Sequence, residues 1–379
     1  MQRWVVVAQR KHGGKLAQKG RKLNEKPRRI VRTGPRAWPA RYALAFETRY
    51  GQLGVVKRLI SILVSLGILA LIYWKIDGRR LWGVFAQCDP AWMTVSLAMV
   101  VPLTLLTSLR LEWLMPRGRS LGFGEANKLI LSASTLNMIL PSKMGDIAKA
   151  YFMKRRGHLS GTLSLALVVF EKSCDMLSLL VWCIFGLALY PDKDWLFWTM
   201  TVCVTAGLVA GLLLLGSKGF AGLFFGVAGH ILRGKMRAKV VKMHESWDEM
   251  HHYFWTDKRR LALVATMSLF IWFLHLLQIW FFILAIRAWT PFLANLALSP
   301  LAILAGLLPL TFAGVGTRDA ALIWFYRPYF DAPVAAALGL LCTARYLLPA
   351  LGGLPFFGEF LGAMGAEERD ADAKTSSRA

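Results

Sequence analysis

Apolar residues in this chain are gathered into long runs that are separated by shorter polar stretches. The runs cover residues 59–76, 91–115, 126–141, 162–190, 195–216, 261–289, 296–313 and 332–357. Because backbone amides have no hydrogen-bond partner in lipid, runs of this length are expected to be helical. Six are long enough to span a bilayer, whereas 126–141 and 296–313 are shorter and contain Pro, Gly or Asn. The pattern predicts an all-α, polytopic integral membrane protein with six spanning helices and two re-entrant helical hairpins.

The distribution of basic residues predicts how these helices are oriented. The formal net charge is +24, and Lys and Arg are concentrated in three segments. The basic segments are 1–58, 110–158 and 217–260, and the nearly neutral linkers are 75–90, 191–194 and 287–300. Since loops rich in Lys and Arg remain cytoplasmic, both termini are expected in the cytoplasm, with the protein in the cell (inner) membrane. This placement explains the charge, so no nucleic-acid partner is predicted.

Composition divides the chain into three parts. Residues 58–360 form the transmembrane domain, between a basic N-terminal tail (1–57) and a polar C-terminal tail (361–379). The N-terminal tail has no signal peptide and is expected to be disordered, lying on the anionic inner leaflet or preceding the true start codon. Four of the five cysteines lie in apolar runs and none forms a CxxC pair, which predicts packing roles without disulfides or a metal site.

The order of the segments indicates an internal repeat. A span, a short broken segment and a second span occur at 91–115, 126–141 and 162–190, and again at 261–289, 296–313 and 332–357. With the predicted orientation, the second set is the first turned upside down. Many secondary transporters have such an inverted-topology repeat, with substrate sites near mid-membrane.

Charged residues within the predicted spans are the first candidate site. Glu171 and Asp175 lie four residues apart, on one face of a helix, next to Lys172. A charge near mid-bilayer costs about 2.5–3.5 kcal/mol, so such residues face either a wet cavity or a partner. The pair is therefore interpreted either as part of a substrate site or as a structural ion pair. Arg345 in the last span would either neutralise these carboxylates or bind a lipid phosphate bidentately.

The two broken segments are the second candidate. Each has Leu-Pro followed by Gly and a charged residue, over residues 140–146 and 308–319. Pro and Gly interrupt helices and leave free amides that bind anions, although an ordinary loop turn has the same composition. The candidate substrate-binding residues are Pro141, Lys143, Gly145, Asp146, Lys149, Glu171, Asp175, Pro309, Thr311, Gly314, Gly316, Arg318, Asp319 and Arg345. We expect one anion site near mid-membrane, with Arg345 opposite Glu171 and Asp175.

Other chemistries have little support in the sequence. There is no Walker loop, nucleophile elbow or dinucleotide fingerprint, so no cofactor, ATP-driven transport or catalytic residue is predicted. His244, His251 and His252 lie in the second basic loop without a metal-binding spacing, which favours a solvated or membrane-surface helix.

At these residues the chain resembles the transmembrane, flippase-like region of the lysylphosphatidylglycerol synthase family, over about residues 58–360. The matching residues are Leu140, Pro141, Gly145, Asp146, Lys149, Arg155, Arg156, Glu171, Asp175, Leu308, Pro309, Gly314, Gly316, Arg318, Asp319 and Arg345. The family usually has Glu where this chain has Asp146 and Asp319, and Arg where it has Lys149. These replacements keep the charge but change the reach or the hydrogen-bonding fork.

The resemblance implies that a lipid is moved between leaflets. In bifunctional relatives this region moves aminoacylated phosphatidylglycerol that a soluble synthase domain makes, and no such domain follows here. The chain is therefore not expected to make the lipid itself. Stand-alone relatives are linked to glycolipid, polyprenyl-lipid or hopanoid pathways, so the lipid stays open. Membrane lipids and a separate lipid-synthesising enzyme are the expected partners, and a homo-oligomer is compatible with the sequence.

The leading hypothesis is a flippase-like transporter of a phospholipid or another polar-headgroup lipid. One alternative is a membrane-embedded lipid headgroup or glycosyl transferase that uses Glu171 and Asp175 as acid and base. It would need a donor-binding motif in a cytoplasmic loop, and loop 217–260 contains none. A second alternative is a scaffold of a lipid-biosynthesis pathway, which does not require charges within the membrane.

Overall fold

The computed structural model describes residues 78–116, 121–139, 144–156, 159–190, 193–232, 234–307 and 316–356, together with Gly67, Ala70, Trp74 and Gly358. Within this part of the chain the regular structure is helical and no strand occurs. Both predicted tails, most of the first apolar run and the turns at 140–143 and 308–315 lie outside the described residues.

The helices follow the apolar runs closely. They are α1 (Gly78–Ala86), α2 (Pro90–Ala98), α3 (Val100–Leu114), α4 (Phe123–Ile139), α5 (Met144–Arg156), α6 (Gly161–Leu189), α7 (Trp195–Gly216), α8 (Lys218–Ile231), α9 (Lys235–Thr256), α10 (Lys258–Ala285), α11 (Phe292–Gly306), α12 (Thr317–Tyr326) and α13 (Ala332–Ala344). A further helix, α14, covers 347–356. The fold is therefore all-α, as predicted.

Five segments are long and apolar enough, by length and composition, to cross a membrane. They are Pro90–Leu114, Gly161–Leu189, Trp195–Gly216, Lys258–Ala285 and Ala332–Phe356, and they correspond to five of the six predicted spans. Apolar side chains of α7, among them Val202, Val209 and Leu212, point away from the protein. Such a large exposed apolar surface is stable only against lipid, and the polytopic membrane architecture is confirmed.

Polar residues at the span boundaries explain where the long helices begin. The carboxylates of Asp194, Asp257 and Asp331 accept hydrogen bonds from the first turns of α7, α10 and α13, and the Ser160 hydroxyl does the same for α6. Asp89 caps α2, where Pro90 needs no partner for a backbone N–H. Each cap stabilises its helix by about 1 kcal/mol, and together they set the register of the spans.

The two predicted broken segments each begin a helical hairpin. Helix α4 packs against α5, and α11 packs against α12. Each hairpin also contacts a span from the other half of the chain through a glycine. A Cβ added to Gly186 of α6 would lie 2.2 Å from the carbonyl oxygen of Ala297 in α11. One added to Gly353 of α14 would lie 2.2 Å from the carbonyl oxygen of Leu131 in α4. These contacts bring the two halves of the chain together around the hairpins.

Helix α10 lies at the centre of the helix packing. It contacts α2, α3, α6, α11 and α13, and its buried face is largely apolar. Three polar residues interrupt that face, Ser268, His275 and Gln278. Their spacing of seven and three residues places them on one side of the helix. Helix α10 therefore places polar side chains in the interior of the protein.

Candidate functional site

Arg110, near the end of α3, is the centre of a buried group of charges. Its Nη2 donates to Glu171 Oε1 at 3.0 Å, and its Nη1 donates to Asp175 Oδ1 and to Ser268 Oγ at 2.8 Å. The side chains of Arg110 and Glu171 are 2% and 1% exposed. Helices α3, α6 and α10 therefore meet at one guanidinium, and the two carboxylates share a helix face as predicted.

Three further charged residues complete this group. Lys149 of α5 is buried and donates to Glu171 Oε2. Lys172 lies 3.4 Å from Asp146 Oδ1 and 3.8 Å from Asp175 Oδ2, at the more exposed end of the group. We call Arg110, Asp146, Lys149, Glu171, Lys172 and Asp175 the balanced cluster, because three cations face three carboxylates. Each charge in it has a partner from the protein itself.

The structure corrects the expected partner of these carboxylates. Arg345 was expected opposite Glu171 and Asp175, but Arg110 and Lys149 occupy that position. Arg345 Nη1 instead donates to Gln278 Oε1 at 3.4 Å. On α10, Gln278 is ten residues beyond Ser268, the contact of Arg110, which corresponds to about 15 Å along the helix. The carboxylates and Arg345 therefore have different hydrogen-bond partners among the described residues, which defines two regions.

The second region lies where the last span is interrupted. Helix α13 ends at Ala344, the chain turns at Arg345 and Tyr346, and α14 begins at residue 347. Arg318 of α12 donates to the carbonyl oxygens of Gly339 at 2.9 Å and Cys342 at 3.5 Å, both in the last turns of α13. A cation at the carbonyl end of a helix complements its partial negative charge. Arg318 therefore stabilises the C-terminal end of α13.

Asp319 and Gly316 fix Arg318 in place. Arg318 Nη2 donates to Asp319 Oδ1 at 2.8 Å, and the Gly316 amide donates to Asp319 Oδ2 at 3.0 Å. Gly316 has φ 103°, a conformation that side chains with a Cβ rarely adopt. Arg318 also donates to Thr343 Oγ1 at 2.7 Å. Of the predicted site residues, Arg318 and Asp319 thus have their hydrogen-bonding groups occupied by the protein.

Arg345 differs from every other charge described above. It is 4% exposed, yet it forms no ion pair with a carboxylate in the part of the chain that the structure describes. Its Nη2 donates to the Tyr346 hydroxyl at 3.0 Å, whereas its buried Nε has no hydrogen-bond partner there. A buried cation is costly without a counter-charge. Among the described residues, Arg345 is therefore a buried positive charge without a counter-charge.

Of the predicted site residues that remain, only Gly145 lies within the described part of the chain. Gly145 donates its amide to Asn137 Oδ1 at 2.9 Å, and a Cβ there would lie 2.3 Å from the carbonyl oxygen of Ala133. The glycine thus lets α5 begin directly against α4. The other predicted residues, Pro141, Lys143, Pro309, Thr311 and Gly314, lie outside the described residues.

Sequence reasoning missed three polar partners in the spans. Arg110 was noted as part of the basic segment 110–158 and as a residue near the end of a span, and Ser268 and Gln278 were averaged into an apolar run. For Ser268 and Gln278, the signal in the sequence was the spacing of polar residues along one side of α10. Such spacing predicts a polar contact face, although it does not name the partners.

The fold and these buried charges define a polytopic α-helical membrane protein with polar groups within its spans. The family model described as the lysylphosphatidylglycerol synthase TM region matches residues 58–353, and the chain belongs to this family. A UPF0104 membrane protein of Methanothermobacter thermautotrophicus is 23% identical over 331 residues, which cover 79% of this chain and 95% of the relative. A UPF0104 membrane protein of Methanocaldococcus jannaschii is 21% identical over 318 residues, covering 79% and 94%. These comparisons confirm the resemblance and connect the chain with lipid-related membrane processes.

Proposed function

We propose that this protein is a flippase-like transporter that moves a lipid with a phosphate-bearing headgroup between leaflets. The observation that carries the proposal is Arg345, a buried guanidinium without a carboxylate partner among the described residues, at the interruption of the last span. Interrupted helices with polar groups at the break are where many transporters bind their substrates.

A phosphate diester is the ligand that Arg345 fits best. Its single negative charge would cancel the charge of Arg345, and its oxygens would accept hydrogen bonds from the planar guanidinium fork. The buried Nε has no partner in the described chain and is free to donate. The balanced cluster is a less favourable binding site for an anion, because its cations are already neutralised by Asp146, Glu171 and Asp175.

Corresponding contacts within each half of the chain support an inverted repeat. Arg110 and Gln278 each lie twenty residues after the first residue of their spans, Pro90 and Lys258. Arg110 contacts Asp175 in the following span of the first half, and Gln278 contacts Arg345 in the following span of the second half. We propose that the two halves are related by a pseudo-two-fold axis and that both termini are cytoplasmic. The hairpins α4–α5 and α11–α12 then enter the membrane from opposite sides.

In this proposal the ion pairs of the balanced cluster hold the hairpin α4–α5 against α6. Lys149 and Asp146 belong to α5, and their partners Glu171 and Lys172 belong to α6. The α5–α6 contact is buried on the side of Glu171 and partly exposed at Lys172, whose side chain is 46% exposed. If the exposed pair of Lys172 and Asp146 broke first, the hairpin α4–α5 could move while the buried pair of Lys149 and Glu171 kept it attached to α6. Exposure of the Arg345 site to each leaflet in turn would follow from such movements.

The test measures translocation of a fluorescent phospholipid by the purified full-length protein in liposomes. Arg345→Gln is expected to reduce the initial rate at least tenfold, and Arg345→Lys to restore part of it, because lysine keeps the charge but loses the fork. The matched control is Arg327→Gln, which removes an exposed arginine stacked on Trp324. Equal rates for wild type and Arg345→Gln, at equal protein recovery, would contradict the role of Arg345.

The transferase alternative has less support from the geometry. Both oxygens of Glu171 accept hydrogen bonds from buried cations, Arg110 and Lys149. Asp175 is likewise bonded to Arg110. Carboxylates held in this way act as structural counter-charges more readily than as an acid and a base. A product of altered mass in the liposome experiment would indicate headgroup chemistry.

A further inference from the structure

His275 lies between the two charged regions on the polar face of α10. It follows Ser268, the contact of Arg110, by seven residues, and it precedes Gln278, the contact of Arg345, by three. Its Nδ1 is buried and has no hydrogen-bond partner in the described part of the chain. Its ring lies beside Trp272, with 5.6 Å between ring centroids. A buried polar nitrogen without a partner requires an explanation, because it has lost its bond to water.

The titratable groups on the described parts of the helices that pack against α10 include the buried thiol of Cys342 on α13 and Glu112 on α3. The charged residues with an electrostatic effect on His275 are Arg345 and Arg110. Helices α2 and α11, which also pack against α10, carry no titratable residue. Helix α6 contributes Glu171, Lys172 and Asp175, which are paired within the balanced cluster. At the α13–α14 break, the Tyr346 hydroxyl bonds to Arg345. Helix α9 meets α10 at Tyr253 and Arg260, about four turns before His275.

This arrangement makes the binding of an anion and of a proton mutually favourable. Without an anion, a proton on His275 would add a positive charge next to that of Arg345. A phosphate at Arg345 would remove this repulsion and supply a negative charge near the imidazole. The two binding events must then strengthen each other by the same factor, because such linkage is reciprocal.

We propose that His275 takes up a proton from water when a phosphate-bearing headgroup binds at Arg345, so that the protein binds lipid and proton together. In the neutral ring with its proton on Nε2, the unpartnered Nδ1 accepts a proton from hydronium, so that one N–H bond forms as one O–H bond of hydronium breaks and water is released. This inference rests on the proposed function, since it requires the headgroup at Arg345. It also names an energy source: a proton gradient across the membrane would bias the direction in which the lipid moves.

The experiment counts protons taken up per lipid bound. Calorimetric titration of the detergent-purified full-length protein with dioctanoyl phosphatidylglycerol, in buffers of different ionisation enthalpy, gives this count near neutral pH. We expect net uptake by wild type, and an affinity that rises as pH falls, by at most about tenfold per pH unit for one linked proton. His275→Asn is expected to bind without uptake and with affinity independent of pH. His252→Asn, an exposed histidine on α9, is the matched control and should behave like wild type.

Each outcome either supports or overturns the proposal. Binding by wild type without proton uptake, or with the same uptake in His275→Asn, would overturn the coupling even if Arg345 binds the lipid. Binding retained by Arg345→Gln would instead contradict the phosphate site, and absence of binding by wild type would overturn both. Inorganic phosphate is the second probe and should bind at least tenfold more weakly than the lipid. Equal affinities would overturn the assignment to a lipid.

Discussion

The balanced cluster and the Arg345 region solve the same problem, a charge buried within membrane-spanning helices, in opposite ways. In the balanced cluster, Arg110, Lys149 and Lys172 are matched by three carboxylates from α5 and α6. At the interruption of the last span, the partners of Arg345 among the described residues are neutral, namely Gln278 and Tyr346. A charge that is fully paired holds helices together, whereas a charge without a counter-charge is available to a ligand.

The comparison also distinguishes two arginines in the second half of the chain. Arg318 has a carboxylate, two backbone carbonyls and a hydroxyl as acceptors, so its donors are committed to the fold. Arg345 lies at the C-terminal end of α13 and has a buried Nε without an acceptor in the described chain. Arg318 was predicted to bind substrate because it lies in the broken segment 308–319, and Arg345 because it is a charge within the last span that can bind a phosphate bidentately. The structure favours Arg345 for this role because of what each residue already contacts.

The largest expected effect on stability is at the centre of the balanced cluster. Glu171→Gln would leave Arg110 and Lys149 buried with one carboxylate fewer, and breaking such a buried pair costs about 3–5 kcal/mol. We expect a lower midpoint of thermal unfolding and poor recovery in detergent. The control is Glu245→Gln, which changes an exposed carboxylate on α9 outside the predicted spans. A Glu171→Gln protein as stable as wild type would remove the structural interpretation of the cluster.

A second test asks whether the pairing itself causes that loss. Lys149→Met together with Glu171→Gln removes both members of one pair, so less uncompensated charge remains than in the single Glu171→Gln variant. We expect the double variant to be less destabilised than the sum of the single variants, by about 0.5–3 kcal/mol. Simple additivity would show that the two side chains do not interact in the folded protein.

A smaller loss of stability is expected at the C-terminal end of α13. Arg318→Gln would leave Asp319 without its cation and would remove a donor from the carbonyls of Gly339 and Cys342. The expected cost is about 1–3 kcal/mol, the usual range for buried acceptors that lose their partner. Thermal unfolding in detergent measures it. If Arg318→Gln abolished lipid binding without loss of stability, Arg318 would belong to the ligand site, and the distinction between the two arginines would be wrong.

The smallest expected effect on stability, and the one most specific to this account, is at Arg345. Arg345→Met replaces a buried cation, which has no counter-charge among the described residues, with an apolar side chain of similar length. Such replacements are often neutral or stabilising, so we expect a midpoint of unfolding equal to or above that of wild type. A strong destabilisation would show that Arg345 has a structural counter-charge and resembles the balanced cluster after all.

The sequence predicted the helices well because the bilayer allows few alternatives. A run of about twenty apolar residues has to be helical in lipid, so run length alone located five spans and the first helices of both hairpins. The interruption of the last span at Arg345 and Tyr346 was not predicted. It contains neither Pro nor Gly, the residues by which breaks were sought. Pro349, four residues after Arg345, lacks the N–H that would bond to the Arg345 carbonyl and therefore favours the break, and Arg318 of a different helix donates to carbonyls just before it.

The charge partners could not be predicted for a related reason. Glu171 and Asp175 were correctly placed on one face of α6, because four residues make about one helical turn. Their cation, Arg110, is 61 and 65 residues away in the chain and reaches them from α3. Periodicity within one helix gives the direction of a side chain but not the helix that it meets. Arg345 was therefore assigned to the carboxylates by charge, and the structure places it with Gln278.

The central claim is that Arg345, and not the balanced cluster, holds a phosphate-bearing lipid. The most direct measurement is the equilibrium affinity of dioctanoyl phosphatidylglycerol for purified wild type, Arg345→Met and Lys172→Met. Lys172 is the most accessible cation of the balanced cluster, which makes it the fair comparison. The account predicts that Arg345→Met weakens binding at least tenfold at full stability, while Lys172→Met changes it less than threefold. Binding that survives in Arg345→Met and is lost in Lys172→Met would contradict the account.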